Sequence, residues 1–134
     1  MIPRILHQSS KNFTWEERKL AQRAQALMPE WEHRFWSDRD NLLLVKEMLP
    51  DRVDDYLSLP AGVVRADIAR YLYMYAYGGV YFDTDYRFFR ALSEELLSHH
   101  CILGVEDEDA PELGGVGCMV EFDRHDVVAG DRLD

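Results

Sequence analysis

The feature that most constrains the fold is a continuous run over residues 63–85, which joins an apolar helical segment to two glycines, a short apolar segment and two aspartates. Residues 63–77 are nearly all aliphatic or aromatic, which predicts a helix buried on most of its sides. Gly78 and Gly79 allow a tight turn. Residues 80–82 favour a β-strand. A helix that returns directly into an apolar strand is typical of a layered α/β fold.

The carboxylates that end this run are candidate metal ligands. Successive residues of a strand point to opposite faces, so the pattern predicts that Asp83 and Asp85 project together while Thr84 points away. Carboxylate oxygens are the ligands that hard divalent cations prefer. The end of the predicted strand is therefore a candidate cation site.

Two other Asp-X-Asp triplets occur, so the motif alone does not identify a site. Residues 38–40 precede an apolar helical pattern, and Ser37 or Asp38 is suited to cap that helix. Residues 107–109 lie in an acidic stretch that is typical of a solvated loop. The middle triplet has the apolar strand and the glycines that allow a ligand to approach the backbone closely.

Three charged side chains interrupt the apolar helix, namely Arg65, Asp67 and Arg70. Asp67 and Arg70 are three residues apart, so they share a face and can form an ion pair that stabilises the helix. The alternative is a polar ligand in a cleft, because charges in so apolar a segment need good partners. We favour the ligand, which places a binding site beside the two aspartates.

Length and composition fit one compact globular domain. The chain has 134 residues, of which 47% are hydrophobic, and a formal net charge of −10. This charge argues against a nucleic-acid partner, since phosphates would be repelled. Cys101 and Cys118 lie in apolar runs without metal-ligand spacing, which predicts buried, reduced thiols. With no signal peptide and no apolar segment long enough to span a bilayer, we expect a cytoplasmic protein without a membrane span.

The order of patterns predicts an α/β sheet that is mainly parallel in its first half. Predicted strands cover residues 2–6, 31–35, 80–82, 102–105 and 116–122, with residues 86–89 extended. Predicted helices cover residues 14–28, with Thr14 as the cap, and residues 41–49, 51–59, 60–77 and 93–97. No repeat or low-complexity linker divides the chain, so residues 1–134 are expected to form a single domain.

The chain resembles the glycosyltransferases whose sugar-binding region contains a DXD motif, a group that includes yeast-type α-mannosyltransferases and α-galactosyltransferases. The clostridial glucosylating toxins are similar at the same motif. The resemblance covers about residues 2–92 and is carried by IPRILHQ (2–8), PEWEHRFWSD (29–38), RADIARY (65–71) and YGGVYFDTD (77–85). It implies a small or truncated GT-A-like fold, in which a Rossmann-like nucleotide-binding sheet is flanked by helices. Residues 2–92 would be the donor-binding portion, and residues 93–134 a divergent portion that lacks most of the family's acceptor region.

The resemblance also implies an enzyme, a hexosyltransferase that moves a sugar from a UDP- or GDP-sugar to an unidentified acceptor with retention of anomeric configuration. Asp83 and Asp85 match the aspartates that bind Mn²⁺ or Mg²⁺ in the family. Asp67 and Arg70 match residues that hold the donor sugar, and Tyr81 matches an aromatic residue beside the donor. These positions are the catalytic, metal-binding and donor-binding candidates.

Further positions follow from the same resemblance. Arg65 belongs to the donor-binding motif without a defined role. His7, Gln8 and Ser9 match the end of the N-terminal strand that borders the base or ribose of the nucleotide. Ser10 stands where many relatives carry an aromatic residue, which leaves the choice of nucleotide open. The chain stops before segments that complete the site in relatives, so it is a minimal transferase, an inactive relative, or a fragment completed in a homo-oligomer.

Two other functional classes remain open. The strand-end sequence Tyr-Phe-Asp-Thr-Asp also occurs in haloacid-dehalogenase-like phosphatases, in which the first aspartate attacks phosphorus. Those enzymes need a later lysine, whereas Lys11, Lys19 and Lys46 all precede the motif. The second alternative is a non-catalytic module that binds a sugar nucleotide or a metal. Turnover separates such a module from a transferase.

Overall fold

A computed structural model describes residues 1–60, 62–103 and 120–122 of the chain. These residues contain one sheet with the strand order β2, β1, β3, β5, β4. The strands are β1 (Ile5–Ser9), β2 (Glu32–Trp36), β3 (Gly79–Tyr81), β4 (Cys101–Leu103) and β5 (Val120–Phe122). The helices are α1 (Trp15–Leu27), α2 (Asp38–Met48), α3 (Val53–Leu57), α4 (Gly62–Tyr77) and α5 (Glu94–Leu97), with a 3₁₀ turn at Pro50–Arg52.

The first three strands are parallel, and the last two introduce antiparallel pairs. β1 pairs in parallel with both β2 and β3. β5 runs antiparallel to its neighbours β3 and β4. The predicted α/β sheet with a parallel first half is therefore confirmed. Because parallel strands end at the same edge, the carboxyl ends of β1, β2 and β3 meet there, where ligands bind in open α/β sheets.

The helix starts follow the capping signals in the sequence. Thr14 and Ser37 each form a capping box, in which the cap side chain accepts a backbone N–H and an acidic side chain returns to the cap N–H. Glu17 completes the first box and Asp40 the second. The triplet at residues 38–40 therefore begins a helix, as predicted, and α2 starts three residues earlier than the helical pattern indicated.

The N-terminal strand begins later than the predicted range of residues 2–6. Pro3 has no N–H for a strand ladder, and the Ile5 N–H instead donates to the Pro3 carbonyl at 2.8 Å. Pairing therefore starts at Ile5 and continues to Ser9. As a result, His7 lies inside the strand rather than beyond its end.

Several predictions differ in the second half of the chain. Residues 86–89 form no strand. The predicted strands at residues 102–105 and 116–122 are present as β4 and β5 in their described parts, whereas Cys118 and the acidic triplet at residues 107–109 lie outside the described residues. Cys101 is exposed, so the prediction of a buried thiol is wrong there. In the part of the sheet that the structure describes, β4 is the edge strand, and Cys101 belongs to neither apolar core cluster.

Two apolar clusters pack on opposite faces of the sheet. Val80 and Phe82 belong to the cluster that includes α1, whereas Tyr81 belongs to the cluster that includes α2 and α4. This is the alternation expected of a strand. All three side chains are at most 2% exposed, so the segment that leads into Asp83 is anchored in both halves of the core.

Helix α4 is not buried on most of its sides, contrary to the prediction. Ala69, Tyr73 and Met74 are buried. An exposed stripe runs along the helix and consists of Val64, Ile68, Tyr71 and Tyr75, which are 38%, 36%, 58% and 56% exposed. The helix's own apolar residues are distributed almost evenly around its axis, so the pattern did not indicate which face meets the sheet. Within the described ranges, no helix has the length and apolar character needed to cross a bilayer.

Candidate active site

The turn between α4 and β3 depends on its two glycines. Gly78 and Gly79 have φ angles of 64° and 97°, a region that residues with a side chain rarely adopt. A Cβ atom at Gly79 would lie 2.5 Å from the carbonyl oxygen of Ile5 and 2.9 Å from its Cβ. The missing side chain therefore lets β3 lie against β1 directly after the helix.

His7 holds this turn from the centre of the sheet. Its side chain is fully buried. The Trp36 indole donates to His7 Nδ1 at 3.1 Å, and His7 Nε2 lies 2.9 Å from the Gly78 carbonyl oxygen. Because an indole nitrogen only donates, Nδ1 accepts and Nε2 carries the hydrogen that it donates to Gly78. Both ring nitrogens of this predicted nucleotide-border residue are therefore engaged within the protein.

We expect the buried His7 to make the protein less stable at acidic pH. Burial lowers the pKa of His7 from 6.5 to about 4, although the hydrogen bond to Gly78 opposes the shift. As the pH falls below 6.5, the unfolded chain takes up a proton before the folded protein does, so the free energy of unfolding decreases. Its expected loss from this residue between pH 7.5 and pH 5 is about 2 kcal/mol.

Urea denaturation at these two pH values measures the effect. The control is His7→Gln, which retains a donor and an acceptor but does not titrate, and this variant should lose about 2 kcal/mol less than the wild type over the same interval. Burial also lowers the pKa of His33, and this contribution remains in both proteins. An identical pH dependence in the two proteins would contradict a neutral, buried His7.

A charged cluster lies where β3 ends. Arg70 Nη2 is 2.9 Å from Asp67 Oδ1 and 3.6 Å from Asp83 Oδ1. The guanidinium also lies 4.4 Å from the centroid of the Tyr81 ring. Arg70 is 15% exposed, whereas the side chains of Asp67 and Asp83 are 50% and 37% exposed. A largely buried arginine therefore orients two carboxylates that remain open to solvent.

Polar atoms without partners lie beside this cluster. Gln8 Oε1 and Arg70 Nε are buried and make no hydrogen bond within the described residues. Buried polar atoms normally have a partner, so these two are exceptions at the border of the cluster. Burial raises the pKa of Tyr81, and the Asp83 carboxylate adds to the shift while Arg70 opposes it. The phenol therefore stays protonated and remains a hydrogen-bond donor.

The two aspartates of the motif lie in a turn rather than on a continuing strand. The Tyr86 N–H donates to the Asp83 carbonyl at 3.1 Å, which closes a β-turn over residues 83–86. Gln8 Nε2 donates to the same carbonyl at 3.3 Å. β3 ends at Tyr81, so strand alternation does not set the directions of the two carboxylates, and that part of the prediction is wrong. Asp85 lies within this turn and is exposed.

Thr84, between the two aspartates, is attached to the start of α1. Its Oγ1 donates to Glu17 Oε1 at 2.6 Å. The other carboxylate oxygen, Oε2, accepts the Thr14 N–H at 2.7 Å. Partial burial would raise the pKa of Glu17, but the hydrogen bonds from Thr84, Thr14 and Ser10 outweigh it and lower the pKa. Sequence reasoning missed this contact because it joins residues 67 positions apart.

The remaining predicted residues lie around this edge of the sheet. The Ser9 hydroxyl donates to the Trp36 carbonyl at 3.2 Å and accepts from Asn41 Nδ2 at 3.3 Å. Arg65 donates to the Leu59 carbonyl at 3.3 Å and lines a separate cavity of about 250 Å³ between α2, α3 and α4. The structure therefore brings Asp67, Arg70, Tyr81 and Asp83 together, with Gln8 behind the turn, while Arg65 serves a neighbouring cavity.

Asp83 and Asp85 are the residues that could hold a divalent cation at this edge. Both supply hard carboxylate oxygens, and Mg²⁺ in proteins is commonly held by one or two carboxylates with phosphate and water as the other ligands. Mn²⁺ has a similar preference for oxygen. Among the described residues, no three His, Cys, Asp or Glu side chains are placed to enclose a cation. Two carboxylates fit a cation whose other ligands come from outside these side chains.

Residues 14–103 match the family described as the glycosyltransferase sugar-binding region containing a DXD motif. Inositol phosphoceramide mannosyltransferase 3 of Schizosaccharomyces pombe is 33% identical over 86 residues, which cover 63% of this chain and 24% of the relative. Mannosyl phosphorylinositol ceramide synthase SUR1 of Saccharomyces cerevisiae is 33% identical over 89 residues, with coverages of 63% and 23%.

A third relative is the initiation-specific alpha-1,6-mannosyltransferase of Candida albicans, which is 32% identical over 75 residues that cover 54% of this chain and 17% of the relative. The chain thus spans about a quarter of the length of the first curated relatives that it matches. No solved structure matches the chain significantly. The matched residues include the charged cluster around Arg70, the glycine turn at residues 78–79 and the acidic turn at residues 83–86.

Proposed function

Because the chain belongs to the glycosyltransferase family with the DXD-containing sugar-binding region, we propose that it transfers a hexose from a nucleotide-diphosphate sugar to an acceptor. The observation that supports this most directly is Arg70, whose Nη2 lies 2.9 Å from Asp67 and 3.6 Å from Asp83, two carboxylates that are open to solvent. This arrangement offers donors for phosphate or sugar oxygens next to an acceptor for sugar hydroxyls. Asp83 and Asp85 would hold Mn²⁺ or Mg²⁺ at the same edge.

The sugar that we propose is mannose. All three relatives have a mannosyl group in their names, and the names differ in the other groups that they mention. Only the shared part of these names is extended to this chain, so the acceptor stays unspecified. The nucleotide is a second unknown, and GDP and UDP are the two that we propose to test.

In the proposed reaction, the bond between the anomeric carbon and the donor diphosphate breaks, a bond from that carbon to an acceptor atom forms, and the acceptor gives up its proton. A divalent cation would stabilise the negative charge that develops on the departing diphosphate. Arg70 donates to oxygens of the sugar or of the phosphate, and Asp67 accepts from sugar hydroxyls while it orients the arginine. Tyr81 supports the guanidinium through its ring face. We infer retention of configuration from the family resemblance.

The test is a donor screen with two readouts. Calorimetry with GDP and UDP, each with and without Mn²⁺, identifies the nucleotide that binds in a metal-dependent manner. Release of that nucleotide from its sugar donor then measures turnover. Metal-dependent release is the expected result, whereas metal-assisted binding without release would favour a non-catalytic module. Absence of metal-assisted binding would contradict the proposal.

We expect Asp67→Asn to impair use of the donor without removing the cation site. The amide keeps the size of the side chain but loses the charge that pairs with Arg70 at 2.9 Å. A charged hydrogen bond of this kind contributes on the order of 1.5–3 kcal/mol, so kcat/KM for donor release should fall roughly 10–100-fold. Mn²⁺ affinity, measured by calorimetry, should change less than twofold. Unchanged kcat and KM would remove Asp67 from the donor site.

A further inference from the structure

The acidic turn, residues 83–86, follows the end of β3, and within the described ranges it has no strand paired to it. Gln8 from β1 and Glu17 from α1 each form a hydrogen bond to it. Gln8 Nε2 reaches the Asp83 carbonyl at 3.3 Å, which is a long contact. Glu17 accepts the Thr84 hydroxyl at 2.6 Å, which is the distance expected when a hydroxyl donates to a carboxylate.

We propose that Glu17 is a positioning residue, which binds Thr84 and thereby holds the acidic turn so that Asp83 and Asp85 can share one cation. The cation itself rests on the proposed function above. The bond between Glu17 and Thr84 rests on the geometry alone. No part of the proposal requires Glu17 to touch the cation or the substrate.

The carboxylate of Glu17 serves two structures at once. Oε2 accepts the Thr14 N–H at 2.7 Å and completes the capping box of α1. Oε1 accepts the Thr84 hydroxyl of the turn at 2.6 Å. An ionised carboxylate accepts several hydrogen bonds, so neither contact excludes the other. Helix α1 is in turn fixed to the sheet by Ala21 and Ala24, which are 7% and 1% exposed. Glu17 therefore connects the turn to a rigid part of the molecule.

The alternative is that Glu17 acts only as a helix cap. The chain offers variants that separate the two roles. Thr84→Val removes the hydroxyl and keeps the shape of the side chain, whereas Thr84→Ser keeps the hydroxyl. Thr14→Ala removes the cap oxygen that accepts the Glu17 N–H at 3.2 Å and leaves Thr84 in place. Glu16→Ala is the matched control, since Glu16 is the exposed acidic neighbour in the same helical turn.

The first measurement is hydrogen exchange at the Tyr86 amide, whose bond to the Asp83 carbonyl closes the turn. This readout needs neither metal nor turnover. Exchange should accelerate at least fivefold in Thr84→Val and Glu17→Ala, and should stay within twofold of the wild type in Thr84→Ser, Glu16→Ala and Thr14→Ala. Equal exchange in Thr84→Val and the wild type would overturn the proposal, as would equal acceleration in Thr14→Ala and Thr84→Val.

The second measurement is Mn²⁺ affinity, determined by calorimetry in the presence of the nucleotide found in the donor screen. Loss of a residue that orients a metal ligand typically weakens binding roughly 10–100-fold, and about tenfold is expected for Thr84→Val and Glu17→Ala. Accelerated exchange with unchanged affinity would overturn the link between the turn and the cation. A wild type that binds no Mn²⁺ would contradict the proposed function and, with it, this link, while the exchange data would still decide the contact between Glu17 and Thr84.

Discussion

Asp83→Ala is expected to abolish metal-dependent release of nucleotide from the sugar donor while the protein remains folded. Asp83 is the aspartate that lies both in the acidic turn and within 3.6 Å of Arg70, so its removal affects the cation and the donor together. Stabilisation of a departing diphosphate by a cation amounts to several kcal/mol, and each 1.36 kcal/mol is tenfold in rate. A loss of roughly 10³-fold or more in kcat/KM follows.

The control for this variant is Asp55→Ala, which removes another solvent-exposed aspartate that pairs with an arginine, here Arg52 at 3.1 Å. Its donor release should equal that of the wild type. Because the Asp83 side chain is 37% exposed, its loss should change the free energy of unfolding by less than about 1 kcal/mol in urea denaturation. Donor release by Asp83→Ala within tenfold of the wild type would exclude Asp83 as the principal metal ligand.

Gly79→Ala should lower the free energy of unfolding far more than Gly62→Ala, although both variants add one methyl group. The added Cβ would lie 2.5 Å from the Ile5 carbonyl oxygen, which is backbone and cannot rotate away. The φ angle of 97° adds strain for any residue with a side chain. Together these effects should lower the free energy of unfolding by about 3 kcal/mol or more, a large part of the stability of a domain this size.

Gly62→Ala is the matched control, because a Cβ there would meet nothing within 4 Å. Gly62 begins α4, where alanine favours the helix. The free energy of unfolding should therefore stay the same or rise by up to about 1 kcal/mol. Urea denaturation of both variants measures the difference. A loss in Gly79→Ala no greater than in Gly62→Ala would show that β3 can move away from β1 without cost.

The sequence predicted those features that depend on local chemistry. Thr14 and Ser37 were identified as caps or candidate caps because capping acts within four residues. The succession of helix, glycine turn and strand before Asp83 was identified because both glycines and the apolar strand are contiguous. Asp67, Arg70 and Asp83 were identified from the pattern of charges, Tyr81 was added by the family resemblance, and their mutual distances come from the structure.

Features that depend on tertiary packing were not predictable in the same way. The even distribution of apolar residues around α4 concealed its exposed stripe. The turn at residues 83–86 was not predicted because strand alternation was extended to Asp85, although β3 ends at Tyr81. Glu17 contacts Thr84 only because α1 returns beside the end of β3, and nothing local to Thr84 indicates that partner. This contact is visible only in the three-dimensional structure.

The hydrogen bonds of His7 have a consequence for how the molecule responds to acid. A protonated imidazole has two donors and no acceptor, so the Trp36 indole would face a second N–H across 3.1 Å. Trp36 ends β2, His7 lies in β1, and Gly78 follows α4. One proton on one buried ring would therefore disturb two strands and a helix end simultaneously, which makes the interior of the sheet sensitive to acid.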